Sequence, residues 1–478
     1  MPVKSSIFLL GMSVFFINPA HSAIGGWELK GGVAASESYN DNLTLVSANK
    51  IDDYITEINP YIGIRRKTRA LDLSVDYRLQ NLIYASEDQF NETFHQLQGD
   101  VTANFIKDIF YINGSASYGQ QNISNTGNVS FNNQSVTGNR TNVGTARLNP
   151  YFKYRFGRAA DLYLGVEKGI VRYGSGSAND SDRNDYQVKL SSGTSFNRIK
   201  WNVNYHNQDI ETDGQSDTEL TEYKGKVEYK LTRQFGLTAT AGYEDNEYVR
   251  AVTTEAPDGS SWTIGINWTP SPRTSFEAGV GERFYGNTGY MTLSHRLRRV
   301  LLSAKYLEDV TVSAVNQFDG TGVQDVDEFG DPIISDASNP EVLDPSLPGI
   351  NNDTYIRKRL SGNFSFRSAK SLLTASIYDE RRFYQISDDR ERSYGASANL
   401  TWDFARRTKA IFSTSGQIVN VRGGGRKDGY ASLSAGVVRQ LQKKLTGTMK
   451  LTHNRRDSSL NSVDYRQNIA TIGINWQL

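Results

Sequence analysis

From Ala23 onward the chain alternates apolar and polar residues with a period of two, the repeat that sends successive side chains to opposite faces of a β-strand. Leu71, Leu73, Val75, Tyr77 and Leu79 interleave with Asp72, Ser74, Asp76, Arg78 and Gln80. Trp262, Ile264, Ile266 and Trp268 interleave with Thr263, Gly265 and Asn267, and the same rhythm runs through Ser393–Phe404 and Leu445–Thr452. Strands of soluble sandwiches average about five or six residues. These runs extend to about ten or more, the length that crosses a bilayer at a tilt.

The connections alternate between short and long. The short ones (Arg65–Arg69, Ile106–Asp108, Phe156–Arg158, Phe196–Lys200, Leu231–Gln234, Thr269–Thr274, Arg296–Arg299, Arg367–Lys370, Phe404–Lys409, Gln440–Lys444) each carry a Lys or Arg. The long ones, such as Asp41–Asp52, Asn122–Arg140 and Thr311–Asp353, are rich in Asn, Asp, Ser and Gly. Short turns at one end and long loops at the other mark an outer-membrane barrel. The pattern predicts an all-β chain forming one transmembrane antiparallel barrel of about 22 strands, within a range of roughly 18–24, with periplasmic turns and extracellular loops. Lipid cannot satisfy an unpaired backbone group, so such a sheet must close on itself. Aromatics near strand ends (Trp27, Tyr151 with Phe152, Trp262, Trp268, Phe276, Phe284, Trp402 with Phe404) are expected at the headgroup girdles.

The termini add two signals. Lys4, the apolar run Ile7–Ile17, the break at Asn18-Pro19 and the small residues Ala20 and Ser22 read as a cleaved secretory signal over residues 1–22, leaving 23–478 as the barrel. At the other end Gly473, Trp476 and Leu478 fit the barrel-assembly signal, with Leu in place of the commoner Phe. Outer-membrane lipid and the barrel-assembly machinery are therefore expected partners, and polysaccharide or other envelope proteins are candidates. With 53 Lys and Arg against 52 Asp and Glu, nucleic acid is not an expected partner. The absence of Cys excludes disulfides and Cys-ligated metal. Past the signal no apolar run approaches the roughly 20 residues of a membrane helix.

Short motifs also carry a resemblance. Tyr39-Asn40-Asp41-Asn42-Leu43, Asn59-Pro60-Tyr61-Ile62-Gly63, Asp76-Tyr77-Arg78-Leu79 and Leu148-Asn149-Pro150-Tyr151 through Gly157 resemble the outer-membrane barrels associated with exosortase (PEP-CTERM) and exopolysaccharide clusters, a branch of the β-barrel porins. The resemblance implies a role in envelope or exopolysaccharide export and transfers no catalytic residue.

Among candidate functional residues, Asp72, Asp76, Arg78, Glu277, Arg283, Asp403 and Lys450 fall on the polar parity and are expected to line the lumen. In a barrel this wide, side chains alone cannot fill the interior. With so little chain between signal and first strand, any constriction is expected from loops. The acidic stretch holding Asp325, Asp327, Glu328, Asp331 and Asp336, with no Lys or Arg between Thr311 and Asp353, is the first candidate; a solvated outer loop is its plain alternative. Asp325–Gly330 fits a calcium loop poorly, because Phe329 stands at a ligand position. His95, His206, His295 and His453 are widely separated and show no metal spacing, and no G-x-S-x-G occurs. No catalytic residue, cofactor or metal is expected. The sequence supports a porin-like conduit for polar solutes; a non-conducting scaffold holding an envelope partner is the alternative.

Overall fold

The computed structural model describes residues 26–174, 178–251, 256–318, 324–326, 332–336, 339–343, 350, 353–420 and 425–478. The expected signal segment lies outside them. The chain runs through β1 (Trp27–Asn40), β2 (Asp53–Lys67), β3 (Leu71–Tyr84), β4 (Glu92–Ile106), β5 (Phe110–Asn122), β6 (Arg140–Phe156), β7 (Ala160–Tyr173), β8 (Ser181–Ser192), β9 (Ile199–Thr212), β10 (Thr218–Lys230), β11 (Phe235–Glu247), β12 (Gly259–Ser271), β13 (Thr274–Arg283), β14 (Gly286–Arg296) and β15 (Val300–Thr311). A short helix α1 (Ser313–Phe318) follows, then β16 (Gln324–Val326), β17 (Pro332–Asp336) and β18 (Asn339–Leu343). The wall resumes with β19 (Tyr355–Arg367), β20 (Ser371–Tyr384), β21 (Arg390–Ala405), β22 (Thr408–Asn420), β23 (Lys427–Gln442), β24 (Leu445–Ser458) and β25 (Tyr465–Gln477). Twenty-two of these strands form one antiparallel sheet, and β16–β18 form a small sheet within a loop.

Closure comes from β1 pairing with β25 over Gly32↔Gln477 to Asn40↔Ile469, so no edge of the wall is left open to lipid. Gly473 stands in this seam opposite Ser36, and a Cβ there would meet the Ser36 Cβ at 2.9 Å, Thr448 Oγ1 at 3.0 Å and the Ala35 carbonyl at 3.1 Å. Replacing Gly473 with valine is expected to lower the folded, heat-resistant fraction on an electrophoretic-mobility assay. Full recovery of that fraction would show that the seam tolerates bulk. Trp476, opposite Val33 and Leu445, and Leu478, whose N–H bonds the Gly31 carbonyl at 2.8 Å, complete the last strand's contacts.

Three of the short turns are closed by local side-chain bonds. The hydroxyls of Thr68, Thr232 and Ser368 each accept the N–H three residues on, from Leu71, Phe235 and Ser371, at 2.9 Å. Hydroxyl-closed turns of this kind reverse the chain in few residues. The lipid-facing parity carries the apolar side chains, and Ile264, Val280, Ile377 and Ile472 are 57–65% exposed. Apolar area in water costs roughly 25 cal/mol per Å², so a belt of this kind is stable only in hydrocarbon. Trp262, Trp268, Trp402 and Phe404 lie on the same outer face. Tyr151 does not: its neighbours Leu148, Phe152 and Tyr154 face outward, while Tyr151 is buried inside, stacked on Tyr111 at 5.1 Å and next to Tyr163 at 5.4 Å.

Candidate constriction inside the barrel

Twenty-two strands, about 4.8 Å apart and tilted about 40°, enclose a cylinder on the order of 40 Å across. Side chains from the wall cannot fill that width, and among the described residues loops reach into it. The connection 123–139 between β5 and β6 folds inward rather than outward. Its neck closes through the Ile123 N–H donating to the Asn139 carbonyl at 2.8 Å, reinforced by the Asn139 amide, which accepts from the Ser124 N–H at 2.9 Å and donates to the Ser124 carbonyl at 2.7 Å. Asn122 mimics a backbone pair in the same way, accepting from the Ser130 N–H at 3.0 Å and donating to its carbonyl at 2.9 Å.

One flank of this loop is bonded to the inner wall of β1–β3. The Gln134 amide donates to Glu57 Oε1 at 2.7 Å and Ser38 Oγ at 2.9 Å, and Asn133 donates to Gln80 Oε1 at 2.8 Å. Tyr84 donates its hydroxyl to the Gln134 carbonyl at 2.9 Å. The other flank is bonded to β23–β25. Tyr465 donates to the Val129 carbonyl at 2.7 Å, and Gln467 donates to Ser135 Oγ at 2.8 Å. Arg456 donates to the Gly127 carbonyl at 2.6 Å and the Thr126 carbonyl at 2.9 Å while paired with Asp428 at 3.1 Å. Both members of that ion pair are fully buried. Arg426 joins them, reaching Asp428 at 3.1 Å and the Thr126 carbonyl at 2.8 Å. The loop is thus sewn to six strands that are contiguous across the closure seam.

Apolar contacts add to the stitching. Ile55, Leu82, Tyr84 and Phe94 sit on the inner face and are covered by Leu43 of the first loop, with Val136 packed alongside. Val419 and Tyr430 receive Val129 and Phe131. Elsewhere on the wall, Val143, Val171 and Ile210 pack against Val312, Ala314 and Val315 at the start of α1. Because Asn316 on α1 also receives a bond from Arg357 of β19 at 2.7 Å, this helix ties β19 to the wall of β6–β9.

Many of the charges on the inner wall are met by partners of opposite sign. Arg283 forms a two-pronged bond with Glu244 at 2.6 and 2.7 Å, and Arg357 does the same with Asp309 at 2.6 and 3.0 Å. Glu380 accepts from Arg359 at 2.9 Å and from Arg382 at 2.5 Å. Arg183 pairs with Glu167, and Lys226 with Glu277. Two-pronged guanidinium–carboxylate contacts fix geometry as well as charge.

The residues singled out in the sequence are placed as follows. Asp72 lies 3.3 Å from Lys67, and Asp76 lies 3.4 Å from Arg65. Asp72, Asp76 and Arg78 share the parity of the buried Gln80 and Leu82 on β3. Glu277 and Arg283 are in the pairs just described. Lys450 is buried opposite Gly436 and Thr471. Asp403 lies apart from them, lining a recess at the short-turn end with Lys370, Arg406 and Lys409. Of the acidic loop, Asp327, Glu328 and Asp331 fall outside the described residues; Asp325 and Asp336 fall on β16 and β17, and their side chains also lie outside. Sequence reasoning missed Glu57, Gln134, Asp428 and Arg456, which hold the 123–139 loop.

A closed antiparallel barrel of 22 strands, apolar outside and polar inside, is an integral β-barrel of the Gram-negative outer membrane. No protein-family model matches the sequence, and no curated protein does. Among solved structures, the chain is similar to the siderophore receptor PirA from Pseudomonas aeruginosa, at 11% identity and a TM-score of 0.46, covering 94% of this chain and 80% of that one. It is similar to PirA from Acinetobacter baumannii, at 7% identity and a TM-score of 0.47, with the same coverage. The FrpB iron transporter from Neisseria meningitidis gives 10% identity and a TM-score of 0.46, covering 94% of this chain and 81% of that one. The resemblance to exosortase- and exopolysaccharide-associated barrels is therefore corrected: no family model supports it, and these similar structures are iron and siderophore proteins. The motifs behind it have a general cause. In both Asn59-Pro60-Tyr61 and Asn149-Pro150-Tyr151 the proline faces lipid and the tyrosine turns inward to a polar partner, as Tyr61 does to Asn475 at 3.0 Å. Any wide barrel with a polar interior can use that arrangement.

Proposed function

We propose that this protein is a passive outer-membrane conduit for polar solutes, narrowed by the inward-folded 123–139 loop. The observation that carries the reading is a polar inner wall around a space on the order of 40 Å wide, occupied in its long-loop half by segments bonded to that wall. Water wets such a surface, and nothing in the described wall offers the continuous apolar lining that would exclude it.

The paired charges set the expected selectivity. Because Arg183, Lys226, Arg283, Arg357, Arg359, Arg382 and Arg456 each have a carboxylate partner, much of the charge on the inner wall is compensated before a passing ion meets it. Planar-bilayer recording of the purified barrel is expected to give discrete openings with weak discrimination between potassium and chloride. A barrel that stays silent across a range of voltages contradicts the conduit reading.

A further inference from the structure

The outer face of the wall carries a row of charge running across four neighbouring strands. The strand registers place Glu308 on β15 opposite Lys358 on β19, Lys358 opposite Arg381 on β20, and Arg381 opposite Arg392 on β21. All four belong to the lipid-facing parity: Lys358 stands two residues beyond the exposed Leu360, Arg381 four beyond the exposed Ile377, and Arg392 two beyond Tyr394. The side chains of Arg381 and Arg392 are 57% and 47% exposed. Arg390, over the Phe383 ring at 5.5 Å, extends the patch one step toward the long loops.

Height fixes what this row meets. On β21 the outer face reads Phe404, Trp402, Leu400, Ala398, Ala396, Tyr394 and then Arg392. From Trp402 to Tyr394 the tilted strand rises about 20 Å, close to the apolar thickness of an outer-membrane barrel. Trp402 and Tyr394 thus bracket the hydrocarbon, and the β21 end of the row, Arg392, lies just above it, among the headgroups of the outer leaflet.

The charge balance is incomplete. Glu308 is engaged by Lys358 at 3.0 Å. A single carboxylate, Asp379, then serves Arg392, whose Nε lies 3.0 Å away, and Arg381 at 3.7 Å. Like charges directly opposite on paired strands are destabilising, and here Arg381 faces Arg392 at the same register position. A phosphate monoester with two ionised oxygens would lie between them and accept from both guanidinium groups, the geometry that arginine favours.

We infer that Lys358, Arg381 and Arg392 form a binding site for the phosphate of a phosphorylated glycolipid in the outer leaflet. The test is native mass spectrometry of the detergent-solubilised barrel titrated with lipid A carrying both phosphates. The unaltered protein retains the lipid. Arg381→Gln with Arg392→Gln lowers retention at least tenfold, and Arg381→Lys with Arg392→Lys keeps most of it. Lipid A stripped of its phosphates binds the unaltered protein no better than the double-Gln variant binds the intact lipid. Competition by millimolar inorganic phosphate alone, with no dependence on acyl chains, would assign the site to the free anion and overturn the lipid assignment. Equal retention of intact and dephosphorylated lipid would overturn it too. Heat-dependent gel mobility confirms that each variant is folded, and Lys358→Gln alone supplies a milder variant with the same expected direction.

Discussion

Excision of residues 124–138, with Ile123 joined to Asn139 through two glycines, raises the single-channel conductance severalfold and leaves the barrel folded. The join is short because the Ile123 N–H already bonds the Asn139 carbonyl at 2.8 Å. The strand ladder does not use the excised residues: β5 pairs with β6 from Phe110↔Phe152 to Asn122↔Arg140. What is lost is the set of bonds from the loop to β1–β3 and β23–β25. Each such bond contributes about 1 kcal/mol net, and lumen water replaces many of them, so the wall survives. Conductance unchanged by the excision would mean that the loop does not narrow the path.

The second large effect is on Arg456. Its guanidinium is fully buried, pairs with Asp428, donates to the Thr126 and Gly127 carbonyls and lies over the Tyr430 ring at 5.2 Å. Removing one member of a buried pair typically costs about 3–5 kcal/mol, because the remaining charge has lost its partner. Arg426 still reaches Asp428 and the Thr126 carbonyl, so the loss falls at the low end of that range. Arg456→Ala is expected to free this flank of the loop rather than melt the barrel, since the wall around it stays laddered. Limited proteolysis then cuts within 123–139 much faster than in the unaltered protein, while the heat-dependent mobility shift moves little. The reverse, an unchanged loop with a collapsed barrel, would assign Arg456 to the wall instead.

The sequence made the wall legible because lipid imposes a strict rule on it. Trp262, Ile264, Ile266 and Trp268 had to share one face, and short basic turns had to alternate with long polar loops. The constriction was hidden for the opposite reason. Asn132-Asn133-Gln134-Ser135 is as polar as any solvated loop, and a polar lumen wall bonds such residues as readily as water does. A weaker signal was present: Ile55, Leu82, Val143, Val171, Ile210 and Val419 are apolar on the polar parity, near the long-loop ends of their strands. Apolar side chains on an inner face need a cover, and the loops supply it. Tyr151, expected at the girdle with Phe152, was misplaced although the alternation of Leu148, Pro150 and Phe152 around it leaves it the inner side. The acidic stretch 311–353 drew attention through its charge, a feature with no bearing on whether a loop bonds to the wall.

The most direct test of the central claim, that residues 123–139 lie inside the barrel against its wall, uses the absence of native cysteine. Ser38→Cys on β1 and Gln134→Cys in the loop replace groups whose polar atoms are 2.9 Å apart. A short bifunctional thiol reagent applied to folded protein in membranes is expected to join them in high yield, with the linked peptides identified by mass spectrometry. Free thiols at both positions after that treatment, each labelled independently, would place the loop outside the lumen and contradict the account.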